Sequence, residues 1–216
     1  MLKRRLIPKL QLKASAHGPR QVLVTTRQFG EVFEIGDPVS QARIFQDQAA
    51  DELIFLDLDA STQNRGPRLE LIARAAESIF MPFTVGGGVR SSEDVDALLA
   101  HGADKVSLNS AVLADPSLLD RLASRYGSQC IVISIDYRRD PDNGLKVSGC
   151  GGRELTNRSP LDWARECQER GAGEILLTSI DHDGERQGLD LDPLAAITSA
   201  LSIPVIASGG CGLARH

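Results

Sequence analysis

Short apolar runs rich in β-branched residues alternate along this chain with longer segments of mixed polarity. The runs fall at residues 6–12, 52–57, 82–86, 105–108, 130–136, 174–179 and 204–208. Continuous apolar runs of this length predict strands buried on both faces, as in a parallel sheet, rather than strands with one face in water. The segments between them are long enough for crossover helices, and four of those carry a start signal. Asp37-Pro38, Asp115-Pro116, Ser159-Pro160 and Asp192-Pro193 each set a capping side chain before a proline at the first helical position, where the missing N–H costs nothing. The pattern predicts a β-α-β-α chain.

The chain also repeats itself. Residues 36–88 align without a gap onto a stretch 122 positions later, so that Asp37 falls on Ser159, Glu52 on Glu174, Asp59 on Asp181, Pro82 on Pro204 and Gly87 on Gly209. Ala50-Asp51-Glu52-Leu53-Ile54 returns as Ala172-Gly173-Glu174-Ile175-Leu176, and Met81-Pro82-Phe83 as Ile203-Pro204-Val205. Two half-barrels of about four strand–helix units each account for the repeat. The expected fold is therefore α/β, a (β/α)8 TIM barrel forming a single domain over residues 1–216. On the same offset the strand at 105–108 should recur near position 227, beyond His216, so the barrel is expected to stop after strand 7. Seven strands would leave the first and seventh unpaired along buried backbone, and poor stability at this length is the expected consequence.

Composition narrows the picture without changing it. With 216 residues, 42% hydrophobic and 25% charged, the chain can bury one sizeable core. A net charge of −5, with both signs spread along the chain, offers no basic stripe for nucleic acid or a membrane surface, which leaves small molecules and proteins as partners. No apolar run approaches the roughly 18 residues of a membrane span, and Lys9 and Lys13 interrupt what would be the apolar part of a signal peptide after Met1-Leu2-Lys3-Arg4-Arg5. A cytoplasmic location is expected. Cys130, Cys150, Cys167 and Cys211 form no C-x-x-C pair and read as free thiols. His17, His101, His182 and His216 share no metal spacing, and of these only His182, between Asp181 and Asp183, is placed to touch a ligand. Trp163, with Leu161, Ala164 and Cys167, belongs to the core face of a helix, and residues 138–144 read as a hairpin turn. Nothing calls for a metal, nucleotide or flavin cofactor.

Candidate chemistry collects at the carboxyl ends of the expected strands, where parallel barrels carry their sites. Gly86-Gly87-Gly88 after the third strand and Ser208-Gly209-Gly210 after the seventh are small-residue turns whose backbone N–H groups can meet an anion. Two symmetry-related anion sites suggest a long ligand with a phosphate at each end. Asp57, Asp59, Asp136, Asp181 and Asp183 stand at or just past strand ends, available as general acids or bases, as hydroxyl ligands, or merely as caps and partners of nearby arginines. Asp136, closing the run Ile131-Val132-Ile133-Ser134-Ile135, is the strongest catalytic candidate.

These stretches carry a resemblance. Phe55-Leu56-Asp57, Val85-Gly86-Gly87-Gly88-Val89-Arg90, Ala103-Asp104-Lys105-Val106-Ser107, Gly127-Ser128-Gln129, the text from Gly171 to Asp181 and Ala207-Ser208-Gly209-Gly210 resemble the cyclase subunit of imidazole glycerol phosphate synthase over essentially the whole chain. The resemblance implies a glutaminase partner on the amino-terminal face of the barrel and ammonia passing through it. At the carboxyl-terminal face the ammonia joins a doubly phosphorylated ribulosyl aminoimidazole, giving imidazole glycerol phosphate and an aminoimidazole carboxamide ribotide. It implies a substrate- and phosphate-binding set of Asp57, Gly86, Gly87, Gly88, Asn109, Thr178, Asp183, Gly184, Ser208, Gly209 and Gly210, and an ammonia gate of Arg5, Glu52, Lys105 and Glu174.

Two positions depart from the family pattern. Its catalytic pair is an Asp on the first strand and one on the fifth; Asp136 matches the second, but Gln11 stands at the first, with Lys9 where the family has Cys. A carboxamide cannot take up a proton near neutral pH. Counting back from Ile35-Gly36-Asp37-Pro38 also puts Thr25 where the family has a lysine. Gate retained and base lost is similar to a divergent paralog branch in which a glutaminase–barrel pair feeds ammonia to an enzyme amidinating a surface-polysaccharide sugar. The text Leu56-Asp57-Leu58-Asp59-Ala60-Ser61 fits that branch. A genuine cyclase of histidine biosynthesis, with Gln11 bypassed by Asp57 or Asp181, and a shortened inactive copy remain the alternatives.

Overall fold

The computed structural model describes residues 4–15 and 20–216, so Met1, Leu2 and Lys3 of the basic start, and His17, lie outside the described residues. Its contacts divide the chain into two units. The first comprises the described part of residues 4–25 with Phe33–Ser107, the second Thr26–Val32 with Leu108–His216. The division falls after the fourth parallel strand, where the repeat puts the join between half-barrels.

The first unit is built on β1 (Lys9–Ala14), the larger parts of β2 (Gln21–Arg27) and β3 (Glu31–Gly36), α1 (Pro38–Asp47), β4 (Leu53–Asp57), α2 (Leu69–Ala76), β5 (Phe83–Gly86), α3 (Ser92–Ala100) and all but the last residue of β6 (Lys105–Leu108). Strands β1, β4, β5 and β6 run parallel, with Lys9 beside Ile54, Ile54 beside Thr84 and Thr84 beside Lys105. Two residues on, the next row on the same face reads Gln11, Leu56, Gly86, Ser107. Period-two alternation sends Leu10, Leu12, Leu53, Phe55, Phe83, Val85 and Val106 to the other face, and all are buried. Helices α1, α2 and α3 bury Val39 and Ala42, Leu71, Ile72 and Ala75, and Val95 and Leu98. Each fully buried aliphatic or aromatic side chain contributes roughly 1.5–3 kcal/mol.

The second unit contains α4 (Ser110–Ala114), α5 (Ser117–Tyr126), β7 (Ile131–Asp140), β8 (Gly144–Gly149), β9 (Glu154–Leu155), α6 (Pro160–Glu169), β10 (Glu174–Ser179), α7 (Leu191–Ala200) and β11 (Val205–Ser208). Here β7, β10 and β11 are parallel, and Asp136, Thr178 and Ser208 share one row. Trp163 on α6 is 1% exposed, as expected of a core residue, with the Arg158 guanidinium stacked over its ring.

All seven expected parallel strands are present, and this is the α/β class of the (β/α)8 type, its strand–helix units grouped as the half-barrel repeat requires. Some boundaries need correction. Strand β1 starts at Lys9 rather than residue 6, because Leu6 stays exposed. Strand β7 does not end at Asp136 but runs on to Asp140, where a hairpin, as foreseen, returns the chain antiparallel as β8. The bare first strand is also overturned: β2 covers the outer half of β1, from Gln11 beside Val24 to Ala14 beside Gln21. Asp37 and Ser159 cap α1 and α6 as expected. Helix α5 instead begins one residue later, with Pro116 at the cap and the Asp115 carboxylate accepting from the Ser117 N–H. Helix α7 starts at Leu191, which places Asp192 and Pro193 inside its first turn.

Candidate functional site

In the first unit, the turn after β5 is shaped by close approach. A Cβ on Gly86 would stand 2.6 Å from Leu56 Cδ2, and one on Gly87, whose φ is +98°, would stand 2.3 Å from the Asp57 carbonyl oxygen. Only glycine lets this turn lie against the end of β4. Among the described residues neither the Gly87 nor the Gly88 N–H donates a hydrogen bond, which leaves both able to meet an anion. The carboxyl end of β4 is less available than its sequence position suggested. Asp57 Oδ1 accepts from the Asp59 and Ala60 N–H groups and from Arg65 Nη2 at 2.7 Å, and Arg68 Nε lies 3.6 Å from Oδ2. Asp59 accepts from the Ala14 N–H. Both carboxylates are buried and hold turns in place, while Asp57 Oδ2 accepts no hydrogen bond among the described residues.

Gln11, 6% exposed, stands on the face shared with Leu56, Gly86 and Ser107, and Thr25 is half-buried on β2, next to the Val24 that pairs with Gln11. Toward the amino-terminal ends of the same strands, three of the four expected gate residues come together. Glu52 accepts from Arg5 Nη1 at 2.5 Å through one oxygen and from Lys105 Nζ at 3.2 Å through the other. Sharing one carboxylate between two cations is the arrangement that partial burial of charge demands. The fourth, Glu174, opens β10 in the second unit, beside Val132 of β7.

In the second unit Asp136 is half-buried, with Oδ2 accepting from Asn109 Nδ2 at 2.8 Å and Oδ1 from the Ser134 hydroxyl at 3.4 Å. Both neighbours are neutral donors that orient the carboxylate at the end of the parallel part of β7. Beside it the Thr178 hydroxyl is 1% exposed and has no partner among the described residues, and the same holds for the buried Asn109 Oδ1. Buried polar groups with no partner are rare, and these two can bond a polar ligand that reaches this end of the strands.

Asp183 is occupied: its Oδ2 accepts from the Thr26 hydroxyl, and its backbone carbonyl from the Gln28 N–H. Gly184, with φ +76°, is needed because a Cβ there would stand 2.2 Å from the Thr26 carbonyl oxygen. Arg27 grips Glu185 through two hydrogen bonds, and that guanidinium holds the Glu185 carboxyl below its ordinary range. Asp181 is exposed and accepts from the Arg139 N–H. At the second glycine turn, a Cβ on Gly209 would stand 2.4 Å from the Ser179 carbonyl oxygen and one on Gly210 2.0 Å from that of Gly188.

Sequence reasoning singled out His182 and Asp183 but missed their partners: Thr26, which bonds Asp183, and the cluster of Tyr137, Ser179 and Asp190 around His182 beside this turn. These partners come from separate segments of the chain, and no spacing announces them. Tyr137 donates to Asp190 Oδ2 at 3.2 Å, and burial raises its phenol well above the ordinary range. Among the described residues no group of three His, Cys, Asp or Glu could hold a metal ion, the four cysteines are free, and no helix is long and apolar enough to cross a membrane.

Comparison with known proteins matches this arrangement to one family. Residues 5–216 match the family model described as histidine biosynthesis protein. A protein of Prochlorococcus marinus (strain MIT 9313), provisionally named imidazole glycerol phosphate synthase subunit hisF2, is 50% identical over 218 residues, covering 100% of this chain and 84% of its own length. Imidazole glycerol phosphate synthase subunit HisF of Myxococcus xanthus (strain DK1622) is 49% identical over 216 residues, and that of Trichormus variabilis (strain ATCC 29413 / PCC 7937) 48% over 219, each covering 100% of this chain and 83% of the relative. With the family model matched over residues 5–216 and identity at that level along the whole of it, this chain belongs to the histidine biosynthesis protein family, as a relative of the HisF subunits of imidazole glycerol phosphate synthase.

Proposed function

We propose that this chain is the barrel subunit of a glutamine-dependent complex. It activates a glutaminase partner seated at the amino-terminal ends of its strands, takes up the ammonia released there, and passes it on for amidination of a surface-polysaccharide sugar. The observation that carries this reading is Gln11: a buried carboxamide on the first strand, where the family pattern has an ionisable Asp. It removes one of two proton-transfer groups, while the shared Arg5–Glu52–Lys105 ion cluster keeps the entry side equipped. The loss of general acid–base help is worth roughly a factor of 10²–10⁴ in rate, enough to abandon a cyclisation without touching ammonia delivery. In this reading the turns at Gly86–Gly88 and Ser208–Gly210 hold a phosphorylated ligand, and Asp136 binds its hydroxyls.

The second reading is a working cyclase of histidine biosynthesis, in which Asp136 serves as the base. The names of the relatives and the Asn109–Asp136 hydrogen bond favour it. Two measurements separate the readings. Glutamate release by the glutaminase is expected to rise when the barrel is added, and no increase would refute the conduit. Turnover of the bisphosphorylated ribulosyl aminoimidazole with ammonia is expected to stay near background, and a healthy rate, or rescue of a histidine auxotroph, would establish the cyclase instead.

A further inference from the structure

At the second glycine turn stands a histidine that the proposed chemistry leaves unused. The His182 Cβ lies 3.1 Å from where a Cβ on Gly210 would be, so the residue packs directly on the turn. Its Nδ1 is 2.9 Å from Ser179 Oγ and 3.9 Å from Asp190 Oδ2, while Asp190 is itself held by the Tyr137 hydroxyl. Nε2 has no partner among the described residues, and the side chain is 38% exposed. The Gly209 and Gly210 N–H groups donate to nothing among the described residues. One strand over, Thr178 sits in register with Ser208, with its hydroxyl buried and unpartnered. Donors for an anion are thus assembled around one turn, with an imidazole at its rim.

We propose that His182 couples proton uptake to anion binding at the Ser208–Gly210 turn, making this site's affinity for a phosphate group depend on pH. An imidazolium here has a carboxylate behind Nδ1 and the anion before Nε2, so each binding event stabilises the other, and the coupling is reciprocal. Among the described residues, Asp181, Asp183, Glu185 and Arg186 share its turn, with Glu185 paired to Arg27, and Tyr137 from β7 and Asp190 ahead of α7 face it. The inference rests on the reading of this turn as an anion site.

The test uses inorganic sulfate, which stays a dianion across the range and so removes the titration of phosphate itself. Sulfate is titrated into the full chain at pH 5.5 and 8.0, reading the Gly209 and Gly210 amide resonances, for the native protein and for His182→Gln. Expected is an affinity about tenfold tighter at the lower pH in the native protein, the size of one added charge contact, and no such difference in His182→Gln. Equal pH dependence in both proteins, or none in the native one, while both amides still shift, overturns the role of His182. If neither amide shifts in either protein, the anion site fails, and the proposal with it.

Discussion

Glu52 is where a single substitution probes both the stability and the purpose of the first unit. It accepts from Arg5 and from Lys105 through separate oxygens, and the three side chains are 26%, 14% and 19% exposed in the order Arg5, Glu52, Lys105. Exposed ion pairs contribute about 0–1 kcal/mol, and breaking a fully buried one costs about 3–5. Partial burial and two charge-assisted bonds place Glu52→Gln between these limits, at about 2 kcal/mol, because the amide keeps one acceptor while the carboxylate both cations share is gone. Adding Lys105→Met removes one cation from the site and is expected to return about 1 kcal/mol, a coupling that a double-mutant cycle isolates. Urea unfolding followed by circular dichroism measures both. The same variants, mixed with the glutaminase, are expected to lose stimulation of glutamate release. A Glu52→Gln midpoint within about 0.5 kcal/mol of the native protein, or strictly additive effects in the double variant, would refute the view that one carboxylate compensates both cations.

Three further outcomes follow from particular contacts. On the reading proposed above, Gln11→Asp puts an ionisable group on the first strand and is expected to raise ribulosyl aminoimidazole turnover by about 10²–10⁴; an unchanged rate means that an acid at this position is not what limits the chemistry. Gly87→Ala, with a φ of +98° and the Asp57 carbonyl 2.3 Å from the new Cβ, is expected to cost about 3 kcal/mol or more, whereas Gly144→Ala, at φ +73° with open space around it, should cost only about 1 kcal/mol in the same unfolding assay. Burial pushes the Cys167 thiol up to about 12, so it stays protonated and hidden at pH 8, and mass spectrometry should find Cys211 alkylated by iodoacetamide well before Cys167. Because that pKa is raised on folding, the associated stability is complete below the ordinary thiol range and is lost as pH climbs from there toward about 12. A urea midpoint that rises over this window would contradict the assignment.

Much of the architecture was legible because burial is a local, periodic property. The strands Lys105–Leu108 and Glu174–Ser179 begin and end where their apolar runs do, and Asp37 and Ser159 cap their helices as the following prolines indicated. The hairpin of β2 and β3 was not legible. Its second strand, Glu31–Gly36, is all exposed, and its first buries only Leu23, Val24 and Thr26 while pairing with β1, too short a run to stand out along the chain.

The sequence by itself determined the strand–helix order, the half-barrel repeat, the two glycine turns and the carboxamide at position 11, since each is written in residue type and spacing. Only the tertiary structure decided which groups each carboxylate meets. Asp57 is claimed by Arg65, Asp59 by the Ala14 amide and Asp183 by Thr26, while Asp136 keeps neutral hydrogen-bond donors. The physical reason is range: a hydrogen bond needs its heavy atoms within roughly 3–3.5 Å, and which groups reach that distance across strands depends on how remote segments pair, which no periodicity along the chain records.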